Sequence, residues 1–139
     1  RSMDKVKARY GKSYPHLIVC PNKIPFGQKD FSIIEKLINS GTLMQLDGGS
    51  LLGHFGKQAK LAAEELLKRN MIHFIASDAH NSRKRNFCLK DAYDVACKII
   101  GSKAKFLVKD NPLNVLNGNE ILITPIKNQK RKSIFSFWR

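Results

Sequence analysis

Short apolar runs alternate along this chain with segments whose apolar residues recur every three or four positions. Three runs rich in Leu, Ile, Val or Phe predict strands: 16–20, 42–46 and 72–76. Three segments with helical spacing predict amphipathic helices: 31–39, 57–69 and 88–100. This alternation indicates an α/β fold in which helical crossovers join parallel strands, as either half of a barrel or a small open sheet.

Polar residues and glycines predict where these elements end. Asp30 has the side chain and position of an N-cap for the first helix. The glycine-rich segment 47–56 predicts a loop after the second strand, and Gly101 ends the third helix. Two short helical pieces are expected at 104–109 and 112–116.

The charge distribution divides the chain into a basic lead-in at 1–14, an α/β domain at 15–117 and a basic, partly disordered tail at 118–139. No run approaches the roughly 18 apolar residues of a membrane-spanning helix. The first residues also lack the apolar core of a signal peptide, so we expect a cytoplasmic protein. A chain that starts at Arg1 without an initiating Met is expected to be a fragment.

The formal net charge of +14 favours an anionic partner, either nucleic acid, a membrane surface or a phosphorylated substrate. Residues 127–139 contain five basic residues and no acidic one, together with Phe135, Phe137 and Trp138. Basic residues among aromatics suit anionic lipid or single-stranded nucleic acid. The alternative for this segment is a solvated tail without a partner.

The strongest chemical signal is the Asp78-Ala79-His80 sequence at the end of the third predicted strand. Residues two apart in extended backbone point to the same side, so a carboxylate and an imidazole can share one metal ion. This donor pair suits a hard divalent ion such as Mn²⁺, Mg²⁺ or Fe²⁺, and zinc also remains open. The alternative is a loop hydrogen bond for Asp78 and a surface position for His80.

Basic side chains follow this pair at Arg83, Lys84 and Arg85, and an arginine fork beside a metal suits a phosphate group. His54 lies in the glycine-rich segment, where backbone can approach a ligand closely. The three cysteines form no Cys-x-x-Cys pair. Since none of them precedes an arginine by six positions, no cysteine can be the nucleophile of a thiol-type tyrosine phosphatase. The alternative for Arg83, Lys84 and Arg85 is a solvated charge cluster without a ligand.

Two long motifs carry a family resemblance: G-S-L-L-G-H-F-G-K at 49–57 and H-F-I-A-S-D-A-H-N at 73–81. With weaker agreement through Asp91-Ala92-Tyr93 and Asn111-Pro112, they cover about two thirds of the chain. The chain resembles the polymerase-and-histidinol-phosphatase (PHP) type of bacterial tyrosine-protein phosphatase, which acts in capsule and exopolysaccharide synthesis.

The resemblance implies a partial, distorted (β/α) barrel of PHP type with divalent metals, most often Mn²⁺, at the strand ends. It implies phosphomonoester hydrolysis by metal-activated water on phosphotyrosine, usually in the tail of a bacterial tyrosine kinase. Asp78 and His80 match two metal ligands of the family, and Arg85 matches a catalytic arginine that grips the substrate phosphate. His54 is a further candidate for substrate binding.

The chain also departs from the family pattern. No His-x-His motif is present, and the family's His-Pro-Glu-Arg corresponds to Cys20-Pro21-Asn22-Lys23. Cys20 can still ligate a metal, and Lys23 keeps a positive charge for substrate without the bidentate fork. We therefore expect the C-terminal portion of such a phosphatase, with weak or no activity alone and a tendency to form homo-oligomers. The alternative functions are a non-catalytic module that binds an acidic or phosphorylated kinase tail, and a basic binder of nucleic acid or membrane surface.

Overall fold

Three parallel strands form one sheet in the computed structural model, which describes residues 17–19, 31–83 and 86–127. The strands are β1 (Leu17–Val19), β2 (Leu43–Asp47) and β3 (Phe74–Ala76). Their order in the sheet is β1-β2-β3, so each strand pairs with the next one along the chain. This arrangement confirms the predicted α/β class with parallel strands.

Helices occupy the connections between the strands and the chain that follows β3. Their bounds are α1 (Ser32–Asn39), α2 (Gly48–Leu52), α3 (Lys57–Lys68), α4 (Leu89–Ile100) and α5 (Asn111–Asn117). The predicted N-cap Asp30 lies outside the described residues, and α1 begins at Ser32. None of the helices within the described ranges is long and apolar enough to cross a membrane.

The core lies around β2, the middle strand, which is buried on both faces. Leu46 and Leu51 are fully buried, and Leu66 and Leu67 of α3 pack in the same cluster. Ala92 and Ala96 bring α4 close to this cluster because their side chains are small. Burial on both faces is typical of a parallel strand between covering helices, and it fixes the positions of the strand ends.

The sequence predicted a loop over the glycine-rich segment 47–56, but the helix α2 forms within it. Asp47 is the N-cap of α2, and its Oδ1 accepts a hydrogen bond from the backbone N–H of Gly49 at 2.8 Å. Gly53 ends the helix with a left-handed φ of 82°. Capping and burial of Leu51 therefore outweigh the low helix propensity of two glycines.

The two short helical pieces predicted after Gly101 are joined into one helical run. A 3₁₀ turn at Gly101–Lys103 leads into a π-helical turn at Phe106–Asp110, which continues directly into α5. Pro112 cannot donate a hydrogen bond to the carbonyl of Val108, and its ring crowds that carbonyl. This loss explains a wider turn immediately before α5.

Asn111 attaches the segment after α5 to the sheet. Its side chain is fully buried and donates to the carbonyl oxygens of His73 and Leu122, while its Oδ1 accepts from the backbone N–H of Leu122. Farther on, Asn70 donates to the carbonyl of Pro125. Residues 119–127 thus have no regular secondary structure but are held at defined points.

Candidate functional site

The carboxyl ends of β2 and β3 lie side by side. Asp47, the last residue of β2, pairs in register with Ala76, the last residue of β3. A Cβ placed on Gly48 would lie 3.3 Å from the carbonyl oxygen of Ala76 and 3.5 Å from Cys88 Sγ. The start of α2, the end of β3 and the residue before α4 therefore meet at this edge, where ligand sites of parallel sheets are built.

Asp78 follows the end of β3 by two residues and has a left-handed backbone. Its φ is 44°, a conformation that an aspartate adopts more readily than most L residues, although it is uncommon. About a third of its side chain is exposed. The backbone therefore leaves the extended conformation here, and strand alternation is not what brings Asp78 and His80 together.

A hydrogen bond within the loop places His80 beside Asp78. Nδ1 of His80 lies 2.7 Å from the carbonyl oxygen of Asp78 and 3.9 Å from its Oδ1. Since a carbonyl oxygen can only accept, Nδ1 is the protonated nitrogen and Nε2 carries the lone pair of the neutral ring. Metal-binding histidines have this arrangement, in which one ring nitrogen donates to an oxygen and the other can ligate.

The chain makes a local turn immediately after His80. Oδ1 of Asn81 accepts a hydrogen bond from the backbone N–H of Arg83 at 3.0 Å, which forms a local turn. Arg83 is exposed. The other predicted phosphate-binding and metal-binding residues, Arg85, Lys23 and Cys20, lie outside the described residues.

His54 lies at the same sheet edge as the Asp78-x-His80 pair, in the turn after α2. Its backbone N–H donates to the carbonyl of Gly49 at 2.9 Å, and its Nδ1 lies 3.2 Å from where a Cβ of Gly49 would be. The ring is exposed. The structure thus places His54 against the glycine pair that begins α2.

Asp47 is a carboxylate at this edge that the sequence did not single out as a site residue. It is 1% exposed, and the helix cap that it forms at Gly49 lies next to Gly48, which approaches α4 closely. An aspartate immediately before Gly-Gly at the end of an apolar run was the available signal, since Asp is a preferred N-cap. Its observed contacts give it a structural role in positioning α2.

Cys88 is in contact with this edge, but its environment favours the neutral thiol. Burial raises the pKa of the Cys88 thiol, and the nearby carboxylates of Asp47 and Asp91 raise it further. A thiol must ionise to act as a nucleophile. The surroundings of Cys88 therefore oppose thiolate chemistry, in agreement with the absence of a Cys-x5-Arg motif.

His73 is structural, as its position before β3 indicates. It is 2% exposed, and Nδ1 accepts a hydrogen bond from the backbone N–H of Met44 at 2.9 Å. The backbone N–H of His73 donates to the carbonyl of Met44, so His73 joins the beginnings of β2 and β3. Burial lowers the pKa of His73 to about 4, which keeps the ring neutral and able to accept.

The described part of the chain supplies two members of a possible metal site rather than a complete one. Asp78 and His80 provide oxygen and nitrogen donors next to each other. Within 31–83 and 86–127, no group of three or more His, Cys, Asp or Glu side chains is placed to hold one ion. The donor types and the ring orientation fit a divalent metal, and further ligands have to come from elsewhere.

Comparison with known proteins finds similar sequences over most of the chain. Residues 27–117 match the model of the family described as capsular polysaccharide synthesis, CpsB/CapC. The chain is 35% identical over 127 residues to tyrosine-protein phosphatase YwqE of Bacillus subtilis, which covers 91% of this chain and 50% of YwqE. It is 33% identical over 89 residues to tyrosine-protein phosphatase CpsB of Streptococcus pneumoniae, which covers 60% of this chain and 37% of CpsB.

A solved structure extends the similarity to three dimensions. It belongs to a crystallographic description of YwqE from Bacillus subtilis and CpsB from Streptococcus pneumoniae as unique metal-dependent tyrosine phosphatases. It matches this chain with a TM-score of 0.77 and 32% identity over 94% of this chain and 52% of that chain. The chain thus spans about half the length of YwqE and less than half of CpsB.

Proposed function

Since this chain belongs to the capsular polysaccharide synthesis family CpsB/CapC, as its two motifs predict, we propose that it forms part of a metal-dependent tyrosine-protein phosphatase. The observation that carries the proposal is the hydrogen bond from His80 Nδ1 to the carbonyl of Asp78. It orients the imidazole as a ligand directly beside a carboxylate, at the sheet edge where α/β proteins bind substrates.

In this proposal Asp78 and His80 hold a divalent ion, because oxygen and imidazole donors suit such an ion. The family resemblance selects Mn²⁺ as the ion proposed. When bound, the ion supplies Lewis-acid polarisation of the phosphoryl oxygens and activation of water. Asp78 contributes negative charge and His80 contributes a neutral nitrogen donor held in one tautomer. Cys20 is proposed as a further ligand on the basis of the family pattern.

Positive side chains are proposed to bind the phosphate. Arg85 grips two phosphoryl oxygens with its planar fork, while Lys23 and His54 contribute single donors. Arg83 begins this basic segment, and its backbone N–H is held by Asn81, the residue after His80. This division of roles separates metal binding, at Asp78 and His80, from phosphate binding, at Arg85.

The proposed substrate is a phosphotyrosine protein, specifically the tail of a bacterial tyrosine kinase that acts in capsule or exopolysaccharide synthesis. The net charge of +14 favours association with such an anionic segment.

The proposed fold of the whole protein is a (β/α) barrel, in which parallel strands follow one another in sequential order, as these three strands do. A partial barrel is compatible with a chain that spans about half of YwqE.

The first experiment measures Mn²⁺ binding by calorimetry and hydrolysis of a phosphotyrosine peptide by phosphate release. We expect any turnover by wild type alone to be weak and to require Mn²⁺. Asp78→Ala and His80→Ala are expected to lower Mn²⁺ affinity at least tenfold and to reduce turnover with it. Arg85→Ala is expected to retain Mn²⁺ affinity while weakening phosphopeptide binding.

The matched control is Asp94→Ala, which removes an exposed carboxylate that pairs with Lys90 on α4. This variant should bind Mn²⁺ and hydrolyse the peptide as wild type does. Equal Mn²⁺ affinity in wild type and an Asp78→Ala/His80→Ala double variant would contradict the proposed metal site. Tight phosphopeptide binding without turnover in a folded, Mn²⁺-loaded sample would instead favour the non-catalytic binding module.

A further inference from the structure

Two phenylalanines, Phe55 and Phe87, lie in the segments that follow the carboxyl ends of β2 and β3 and have no role in the chemistry described so far. Phe87 is 85% exposed, and Phe55 is 36% exposed. They belong to the chain segments that follow β3 and β2, respectively, so both come after strand carboxyl ends. An exposed aromatic ring loses contact with water favourably when another ring covers it.

The glycine pair at the start of α2 brings these two segments together. Cys88, the neighbour of Phe87, packs against Gly48, which also contacts the end of β3. Phe55 packs against Gly49, with Cε2 only 3.0 Å from the position that a Cβ would occupy. Because Gly48 and Gly49 are consecutive, the ring of Phe55 and the side chain of Cys88, the residue after Phe87, flank the same short segment after Asp47.

The exposure of the two rings differs in a way that suits a binding surface. The ring of Phe55 lies over Gly49, in space that a side chain at position 49 would occupy. Phe87 precedes α4 and presents most of its ring to solvent. One placed ring and one accessible ring can enclose a third aromatic group, in stacked or edge-to-face contact.

We propose that Phe55 and Phe87 bind the aromatic ring of the phosphotyrosyl substrate, so that this site prefers aryl phosphates to alkyl phosphates. The inference rests on the proposed phosphatase function, since Asp78 and His80 define where the phosphate lies. Arg83 and the strongly basic chain complement the phosphate, while the phenylalanines complement the phenyl ring that carries it. The specificity would thus come from apolar contact rather than from a hydrogen bond to the substrate.

The test measures binding of two fluorescein-labelled peptides that differ only in phosphotyrosine or phosphoserine, by anisotropy with the full chain and Mn²⁺. Phe87→Ala is expected to weaken phosphotyrosine-peptide binding roughly tenfold and to leave phosphoserine-peptide binding unchanged. Phe55→Leu is expected to act in the same direction, since it keeps apolar volume over Gly49 but removes the ring. Phe87→Tyr, which keeps the ring, should bind both peptides as wild type does.

Phe106→Ala is the matched control. Phe106 is 37% exposed, close to the value for Phe55, but it lines a cleft with Asn70 and Ile72, which precede β3 at the opposite end of the strand. This variant should not change the preference for phosphotyrosine. Thermal unfolding of each variant verifies that it is folded.

An unchanged affinity of Phe87→Ala for the phosphotyrosine peptide, or an equal loss for both peptides, would overturn the inference. Sedimentation data would also overturn it if Phe87→Ala dissociated a dimer without altering peptide binding. The ring would then contact a second copy of the chain instead of the substrate. Failure of the proposed function has a different signature. Wild type would then bind Mn²⁺ no more tightly than the Asp78→Ala/His80→Ala double variant, and the ring preference would still be measurable.

Discussion

At the scale of single residues, two histidines show how surroundings determine what an imidazole does. Nδ1 of His73 accepts a hydrogen bond from Met44 in the interior, while Nδ1 of His80 donates one to Asp78 at the exposed sheet edge. The same atom therefore has opposite roles. His73 stabilises strand pairing only while it is neutral, and His80 in its neutral form retains a nitrogen that can bind a metal.

Protonation of His73 should destabilise the fold in mildly acidic solution. The pKa of His73 is about 4 when folded and about 6.5 when unfolded, so the unfolded chain binds more protons between these values. The contribution of neutral His73 to the free energy of unfolding is therefore fully present above about pH 6.5. It is lost as the pH decreases to about 4, by up to about 3 kcal/mol. Urea unfolding at pH 7, 5.5 and 4.5 measures the loss.

The control for this prediction is His73→Gln, which keeps a neutral acceptor that cannot gain a proton in this range. Its free energy of unfolding should depend less on pH than that of wild type between pH 6.5 and 5, where few carboxylates titrate. Identical pH dependence in the two proteins would show that His73 does not carry the effect.

At the scale of elements, α2 determines how closely the helices approach the sheet edge. It is five residues long, and the glycines in its first turn contact α4 and the ring of Phe55. A helix this short has little stability of its own, so its cap at Asp47 and burial of Leu51 must maintain it. The arrangement of the candidate site therefore depends on an element of low intrinsic stability.

Gly48→Ala should destabilise the protein by about 1–3 kcal/mol because there is no space for a methyl group. The added Cβ would lie 2.8 Å from Ala92 Cβ and 3.3 Å from the carbonyl of Ala76. Chemical denaturation measures the change. Gly49→Ala is the comparison, with a smaller expected loss, because its Cβ would meet the movable ring of Phe55 at 3.0 Å.

A second substitution identifies the cause of the Gly48→Ala effect. If the clash with α4 is responsible, Ala92→Gly should recover part of the stability lost in Gly48→Ala, beyond the sum of the two single effects. Additive losses would mean that the two side chains do not meet.

The sequence predicted the elements with strong periodicity and missed those set by contacts in space. The helix at 57–69 and the strand at 42–46 lie within one residue of α3 and β2 at each end. The helix α2 was missed because glycines predict a loop, and only its cap and packing make it helical. Asp78 and His80 were selected from spacing, but their contact comes from a left-handed residue that no periodicity reveals.

At the scale of the whole molecule, one buried side chain connects the sheet to the segment after α5. The side chain of Asn111 bonds to the carbonyl of His73 and to both backbone groups of Leu122. His73 in turn bonds to Met44 of β2. The connection therefore runs from the middle strand through His73, immediately before β3, to Leu122. Farther along the chain, the backbone N–H of Lys127 donates to the carbonyl of Arg69.

Asn111→Ala should therefore destabilise the protein by about 2–4 kcal/mol, since it removes a buried hydrogen bond to His73 and two partly buried ones to Leu122. We also expect faster proteolytic cleavage within 119–127, because this segment loses its attachment to the sheet. Denaturation and timed proteolysis measure the two effects. Asn114→Ala on the same helix is the control, and a loss as large as that of Asn111→Ala would mean that helix propensity is responsible.

The left-handed backbone of Asp78 has a consequence for protein engineering. Glycine adopts a φ of 44° without the steric penalty that any side chain imposes, which is on the order of 1 kcal/mol. A library selected only for heat resistance would therefore enrich glycine at position 78 and discard the carboxylate. Thermal tolerance and metal affinity impose opposite selection on this one residue, and directed evolution of this protein would have to screen for both.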